Sequence, residues 1–210
     1  MATMPGASDV VGALDGRSPD MKSISLAVVS LAFAVSSFSQ GTSLADADAL
    51  VRAMRADVMV LEASKAGIVR ATSEGQFTSA QFKCFDQLPA SALTSNLGKV
   101  LSKLFSQGEI AEALEFYTSP AGVKYVDMKF MALARNAAAS GLTFNGKPSV
   151  PDSSMTMEEM QAARAFVESG VGKKLESDKV LLRAPETDTV AKRIIGKKLE
   201  SCGAKVPPLP

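Results

Sequence analysis

Histidine and tryptophan are absent from the 210 residues of the chain, and only two cysteines are present. Without histidine, the chain lacks the commonest general base, the commonest zinc ligand and the usual activator of serine or cysteine nucleophiles. Two cysteines are too few for a zinc site built from thiolates. We therefore expect no catalytic residue, no metal and no bound cofactor, and we predict that the protein is not an enzyme.

Net charge and aromatic residues are also scarce. The formal net charge is only +1 at pH 7, so no strong field draws the chain to nucleic acid, which we do not expect as a partner. Aromatic residues make up 6% of the chain, and its wealth of Ala, Leu, Val, Met, Lys and Glu favours helix over strand. No segment alternates apolar and polar residues between hairpin turns. The sequence predicts an all-α fold of short helices in antiparallel hairpins, with no sheet.

Long apolar runs are missing as well, apart from one of about twelve residues at 24–35. A membrane-spanning helix needs about 20 apolar residues, so this run, preceded by Lys22, is typical of a secretory signal peptide rather than of a membrane anchor. Small residues permit cleavage after Ser39 or after Ala45. We predict a signal peptide over 21–45 and a non-translated or disordered extension over 1–20. The mature chain is then periplasmic or secreted and does not span the membrane.

The two cysteines, Cys84 and Cys202, gain meaning from export, because disulfides form in oxidising compartments. We predict that they pair and tie the C-terminal helix to the rest of the fold. Their bond would close a loop of more than a hundred residues. The chain-entropy account gives such a loop a stabilisation of about 4–5 kcal/mol. The alternative is a pair of buried thiols without a bond between them.

Helical periodicity divides the mature chain into regions. An apolar stripe marks a first helix over 46–66, which we expect to end at Gly67, and a last helix is predicted over 186–202, before Gly203. We predict a helical domain over 46–139 and a linker rich in Gly, Pro and Ser over 140–154. A divergent second helical hairpin with the C-terminal helix follows over 155–203, and a disordered tail over 204–210.

Three helices begin with the same pattern, the capping box. In this pattern a Ser or Thr side chain accepts the third helical amide, and a Glu or Gln side chain accepts the amide of the cap residue. Such a cap contributes about 1 kcal/mol. The predicted pairs are Thr78 with Gln81, Ser106 with Glu109, and Thr156 with Glu159.

One phrase occurs twice, as FYTSPAGVK at 116–124 and as FVESGVGKK at 166–174. In the first copy Ser119 suits the N-cap of a new helix and Pro120 its first position, where a missing amide costs nothing. Gly122 leaves room for a neighbouring backbone or ring, and we expect Phe116 to be the ring that packs at the corner. We predict two related helix–corner–helix units that pack together. The shared corner residues are Phe116 and Phe166, Ser119 and Ser169, Gly122 and Gly172, and Lys124 and Lys174.

The stretch FSQGEIAEALEFYTSPAGVKYVDMKF, residues 105–130, resembles a bacterial family known as domain of unknown function 2059. The resemblance rests on the motif residues Ser106, Glu109, Phe116, Tyr117, Ser119, Pro120, Gly122 and Lys124. Val167 and Gly170 replace the Tyr and the Pro in the second copy. The resemblance implies an exported, all-helical bacterial protein and implies no activity.

Catalytic interpretations of the polar residues are weaker than structural ones. Ser119 and Lys124 would have to act as a Ser–Lys pair, yet residues five apart do not face each other on a helix. Glu109, Glu112 and Glu115 would have to supply paired carboxylates, but Glu109 is already assigned to a cap, and the other two are typical of a solvated face.

Lysines and methionines near the corners also allow two interpretations. We interpret Lys124, Lys129, Lys173, Lys174 and Lys179 as solvated side chains interspersed with acids, and a site for anionic envelope groups is the alternative. We expect the methionines at 128, 131, 155, 157 and 160 to fill the core, and an adaptable apolar groove is the alternative.

Three functions are consistent with these observations. The first is a non-catalytic helical module that binds an envelope protein or another envelope component. The second is a carrier that holds a lipid or acyl chain between the two hairpins. The third, and weakest, is an envelope hydrolase that uses lysine and glutamate.

Overall fold

The computed structural model describes residues 43–139, 144, 147–150, 152, 154–176 and 185–206. Across these residues all regular structure is helical, which confirms the all-α prediction. The helices are α1 (Leu44–Ala53), α2 (Ala56–Ser73), α3 (Ser79–Phe85), α4 (Ser91–Leu104), α5 (Gln107–Thr118), α6 (Pro120–Ala139), α7 (Met157–Glu168), α8 (Gly170–Glu176) and α9 (Pro185–Ser201).

The first predicted helix is in fact two helices, and the expected end at Gly67 is wrong. The break falls at Arg55, whose φ of 53° is left-handed, while α2 continues through Gly67 to Ser73. A left-handed Arg carries a conformational cost that its surroundings must offset. Its guanidinium does so, donating to the Asp127 carboxylate at 3.1 Å and lying 3.9 Å from the centre of the Phe130 ring. Ile68, buried after Gly67, keeps α2 attached to the core.

The core is built around α1, which lies against both α4 and α5. Leu50 of α1, Leu97 and Leu101 of α4, and Ile110 of α5 are completely buried. On α4 the buried face is carried by Leu93, Leu97, Val100 and Leu101, at helical spacing. A buried polar contact joins α2 to α4, where the Thr94 hydroxyl donates to the Asp57 carboxylate at 2.7 Å. A buried polar pair of this kind stabilises only because each group satisfies the other.

The C-terminal helix is fastened to α3. Cys84 and Cys202 form a disulfide whose Cα atoms are 5.8 Å apart. Gly203, at φ +78°, ends α9, and the next amide, of Ala204, donates to the carbonyl of Leu199 as in a Schellman cap. The Gln81 side chain donates to the Gly203 carbonyl at 2.9 Å, so the cap of α3 also holds the end of α9.

Several sequence predictions fall outside the described residues. These are the extension at 1–20, the signal peptide up to residue 42, Lys179, the last four residues of the tail and much of the linker. Where the linker is described, it is not helical, and the amides of Ser149 and Val150 donate to Asp127. None of the described helices combines the length and apolar character needed to cross a membrane.

Candidate functional site

All three predicted capping boxes are present. The amides of Gln81, Glu109 and Glu159 donate to the hydroxyls of Thr78, Ser106 and Thr156, and the reciprocal side-chain bonds are also made. The reciprocal bonds are short, at 2.7 Å for Ser106 and 2.8 Å for Thr156. The starts of α5 and α7 are therefore built alike, 50 residues apart in the sequence.

The first corner joins α5 to α6 without an intervening residue other than Ser119. The Ser119 hydroxyl accepts the amide of Gly122 at 3.1 Å and donates to the carbonyl of Phe116 at 2.6 Å. The close neighbour of Gly122 is backbone and not a ring, which is one of the two possibilities that the sequence left open. A Cβ at Gly122 would lie 2.0 Å from the Phe116 carbonyl oxygen, because the chain turns back on itself there.

The second corner repeats this geometry between α7 and α8. The Ser169 hydroxyl accepts the amide of Gly172 at 3.0 Å. A Cβ at Gly172 would lie 1.8 Å from the carbonyl oxygen of Phe166. The backbone before the turn also agrees, since Ser119 has φ −70° and ψ 159° and Ser169 has φ −66° and ψ 165°. The two corners are thus one local structure formed by two different sequences.

The corner units exchange ion pairs. We call α5 and α6 the first corner unit, and α7 and α8 the second. Lys124 of the first unit pairs with Glu159 of the second at 2.9 Å, and Lys174 of the second pairs with Glu109 of the first at 2.8 Å. Between these pairs the rings of Phe116 and Phe166 stack, with centres 4.0 Å apart and planes 9° from parallel. The contact therefore has approximate twofold symmetry, with the stacked rings at its centre.

This exchange corrects the interpretation of the corner lysines as simply solvated. Each of the two lysines binds the glutamate that caps the first helix of the opposite unit, so one carboxylate serves both a cap and an ion pair. The hydrogen bond from Lys174, together with the Ser106 amide, lowers the pKa of Glu109 below its ordinary value. The hydrogen bond from Lys124, together with the Thr156 amide, lowers the pKa of Glu159 in the same way.

A second polar group near the contact is not symmetric. The Tyr117 hydroxyl donates to the Glu176 carboxylate at 2.7 Å, and Lys129 pairs with the same carboxylate. Burial, followed by the nearby charge of Glu176, raises the pKa of Tyr117 far above its usual range, so the phenol stays protonated. Val167 occupies the position of Tyr117 in the second copy and has no hydroxyl to offer.

Asp127 is a structurally important residue that the sequence pattern does not reveal. It is completely buried on α6, and it accepts the Arg55 guanidinium and the amides of Ser149 and Val150. Four hydrogen bonds, counting both carboxylate contacts of the Ser149 amide, satisfy the charge that burial would otherwise penalise. The group connects the α1–α2 break, α6 and the linker, which are remote from one another in sequence.

Four of the five methionines near the corners do not fill the core, contrary to the sequence expectation, and the fifth, Met155, is half-buried. Met128 and Met131 on α6 are 45% and 44% exposed, and Met157 and Met160 on α7 are 67% and 46% exposed. Only two other large hydrophobic residues among the described ones are exposed, Leu44 and Val69. We call the four exposed residues Met128, Met131, Met157 and Met160 the methionine surface. It is carried by α6 and α7, which pack together and are joined by the Lys124–Glu159 ion pair.

The residues considered for catalysis have structural partners. The hydroxyl of Ser119 is engaged in the corner, Lys124 binds Glu159, and Glu109 binds Lys174. Glu112 accepts the Ser169 hydroxyl at 3.3 Å, and Glu115 is exposed. These contacts give Ser119, Lys124, Glu109 and Glu112 structural roles in the helix caps, the corners and the contact between the two units. No three potential metal-ligating side chains cluster among the described residues.

Comparison with known families agrees with the resemblance read from the motif. Residues 91–139 match the family described as "Uncharacterized protein conserved in bacteria (DUF2059)". The matched span covers α4, α5 and α6 and contains the whole first corner unit, so the family prediction is confirmed for this part of the chain. The second corner unit lies outside the match. Neither a curated protein nor a solved structure matches the chain.

Proposed function

We propose that this protein is a non-catalytic binding module exported to the periplasm or the medium. Its residues 91–139 match the bacterial family DUF2059. It engages an apolar segment of an envelope protein through the methionine surface. The observation that carries the proposal is the concentration of exposed apolar side chains on α6 and α7. Six large hydrophobic residues are exposed in the described part of the chain, and four of them lie on these two helices.

The character of these side chains suits a protein partner. Methionine is unbranched and polarisable, so a surface made of it adapts to apolar segments of different shape. Exposed apolar patches on a stable protein mark interaction sites more often than accidents of folding. The capping boxes, the corners and the Lys124–Glu159 ion pair hold α6 and α7 in place, which lowers the ordering cost when a partner binds.

Site-specific photocrosslinking in cells tests this proposal. A photoreactive residue placed at Met157 should yield one discrete protein adduct, whose second component mass spectrometry identifies. The same residue at Val69, which is 39% exposed on α2, is the matched control and should not yield that adduct. Met128→Glu in the Met157 probe chain should abolish it. An adduct that forms equally from Val69, or one that Met128→Glu leaves unchanged, would remove the methionine surface from the function.

Export is tested separately by the mass of the mature protein purified from the producing bacterium. We expect an N-terminus at Gln40 or Asp46 and the loss of two hydrogens from the disulfide. The structure favours Gln40, because the Ser43 carbonyl accepts the amides of Asp46 and Ala47 in the first turn of α1. A protein that retains residues 21–39 would contradict export by a cleaved signal peptide.

The two other functions have less support. A carrier that holds an acyl chain between the corner units would need space where Phe116 and Phe166 stack and where Tyr117 meets Phe166 edge-on at 5.4 Å. Aromatic rings fill that contact, so an apolar ligand would require a different site. An envelope hydrolase would need a free lysine or carboxylate at the corners, and the corner residues proposed for it are held in ion pairs.

A further inference from the structure

A groove of about 480 Å³ lies between α4 and α9, away from the corner contact. Its apolar lining includes Val100, which is buried, and Leu104 and Val190, which are half-buried. Exposed cationic side chains stand beside this lining, namely Lys99 and Lys103 one turn apart on α4, and Arg193 on α9. The volume falls within the range of about 300–1,000 Å³ that is usual for small-molecule sites.

The cations of the groove differ from those at the corners. Lys124, Lys129 and Lys174 each hold a carboxylate. By contrast, no carboxylate lies within 4.0 Å of the charged groups of Lys99, Lys103 or Arg193 in the part of the chain that the structure describes. The groove contains one carboxylate, that of Glu186, against three cations. No described carboxylate therefore pairs with these three cations, and their charge is available to a ligand.

We propose that this groove binds a single-chain amphiphile with an anionic head group, such as a fatty acid. The apolar lining takes the hydrocarbon chain, which gains by leaving water. The carboxylate of the head group meets the guanidinium of Arg193, whose planar fork matches a carboxylate with two hydrogen bonds, and the ammonium groups of α4. This activity goes beyond the protein-binding module and does not depend on the methionine surface.

The complementary pattern of the groove argues against two simpler ligands. A free anion would use the cations but leave the apolar lining in contact with water. An uncharged or cationic amphiphile would use the lining but leave three cations without a partner, or would be repelled by them. The combination of an apolar lining with unpaired cations selects a molecule that carries both features.

Calorimetric titration of the mature, disulfide-bonded chain tests the proposal with dodecanoate as the probe. We expect saturable binding of one dodecanoate per chain. Acetate has the same head group without the chain, and dodecyltrimethylammonium has the same chain with the opposite charge, so both should bind at least about tenfold more weakly. Equal affinity for acetate, equal affinity for the cationic amphiphile, or no saturable binding of dodecanoate would each overturn the proposal.

Charge-reversal variants locate the site. Arg193→Glu and Lys99→Glu should each raise the Kd for dodecanoate by about tenfold or more, because each replaces attraction by repulsion at the head group. Lys83→Glu makes the same change of charge on an exposed residue of α3 that does not line the groove, and it should alter the Kd less than about twofold. All three positions are exposed, and thermal unfolding checks that each variant folds. Equal effects of Arg193→Glu and Lys83→Glu would show that general charge, and not the groove, governs binding.

Discussion

The two corner units form the same turn with partly different residues. The first unit lies inside the family match, uses Pro120 at the start of its second helix, and continues that helix for 20 residues. The second unit lies outside the match, uses Gly170 at the same point, and its second helix has 7 described residues. What both keep is the capping glutamate, the aromatic ring, the serine, the close-packed glycine and the lysine.

The difference separates what a corner needs from what its surroundings need. The shared residues all act within the turn or across the contact between the units. The residues that differ add other contacts, since Tyr117 makes an extra hydrogen bond across the contact to Glu176 and the longer α6 carries the buried Asp127. The second unit therefore provides a covering surface for the first, with the same turn and the same ion-pairing groups.

Loss of the disulfide should have the largest effect, because the bridge lies outside both units and closes a separation of 118 residues. We expect the double variant Cys84→Ser, Cys202→Ser to lose about 4–5 kcal/mol of unfolding free energy. Reductant should lower the Tm of the unmodified chain in the same direction. Urea unfolding of both proteins measures the loss, and an unchanged Tm in reductant would contradict a bond in the folded protein.

A methyl group at either close-packed glycine should have the next largest effect. Gly122→Ala and Gly172→Ala both drive a Cβ into a backbone carbonyl, and we expect each to cost about 1–3 kcal/mol, with Gly122→Val at least as harmful. Gly108→Ala is the matched control, because no atom lies within 4 Å of the new Cβ and alanine favours helix. Thermal or urea unfolding compares them. Unequal losses at Gly122 and Gly172 would mean that the two corners are not equivalent, and no loss at either would mean that the turns are not this tight.

Exchanging the residues at positions 120 and 170, where the two corners differ, should change the unfolding free energy less. One of these exchanges, Gly170→Pro, should stabilise the chain. Gly170→Pro copies the first unit into the second, and Ser169 before it already has the extended backbone that a residue preceding proline requires. Because proline restricts the unfolded chain, we expect a gain of about 0.4–1 kcal/mol. Pro120→Gly should lose a similar amount. A destabilised Gly170→Pro chain would indicate that the two turns differ in their first helical position.

The exchanged ion pairs should give the smallest effect, visible only in acid. The pKa values of Glu109 and Glu159 are lowered in the folded chain, so the unfolded chain binds protons first as the pH falls. Their stabilisation is complete above the ordinary pKa of 4.5 and is lost as the pH falls through the lower folded values. The double variant Glu109→Gln, Glu159→Gln should therefore lose less stability between pH 6 and pH 3, which are about the limits at which these carboxylates titrate.

The control for that experiment removes two charges elsewhere on the same helices. Glu115→Gln with Glu158→Gln changes exposed carboxylates that have no ion pair in the described part of the chain. This control should keep the acid dependence of the parent chain. An equally flattened pH profile in both double variants would assign the effect to total charge and not to the exchanged pairs.

Local features of this fold could be predicted from the sequence, because their causes are local. A capping box needs only residues three apart, and a corner needs only a serine cap and a glycine three residues later, as at Ser119 and Gly122. The all-α class follows from composition and helical periodicity in the same way. The prediction for Gly67 was wrong because a glycine ends a helix only when the chain turns there, and the buried Ile68 keeps this helix going.

Features that depend on the meeting of distant helices could not be predicted. Nothing in the sequence pairs Lys124 with Glu159 and Lys174 with Glu109 until the stacked rings set the two units in a twofold arrangement. The left-handed Arg55 depends on Asp127, which is 72 residues away. The exposure of the four methionines depends on which sides of α6 and α7 are buried where the two units pack together. The groove depends on the packing of α9 against α4, and the sequence shows only scattered lysines.

The bridge between Cys84 and Cys202 also decides how the chain would bear tension. A pull on its two ends runs along α1, α2 and α3, crosses the sulfur–sulfur bond, and leaves after residue 202. Residues 85–201, which include both corner units, lie outside the covalent path that transmits this force. A fully stretched oxidised chain is shorter than the reduced one by about 400 Å, at roughly 3.4 Å for each of the 118 residues spanned. The bridge thus limits how far tension can extend the chain, and because α1 is the centre of the core, such a load would first act on the packing of α1 against α4 and α5.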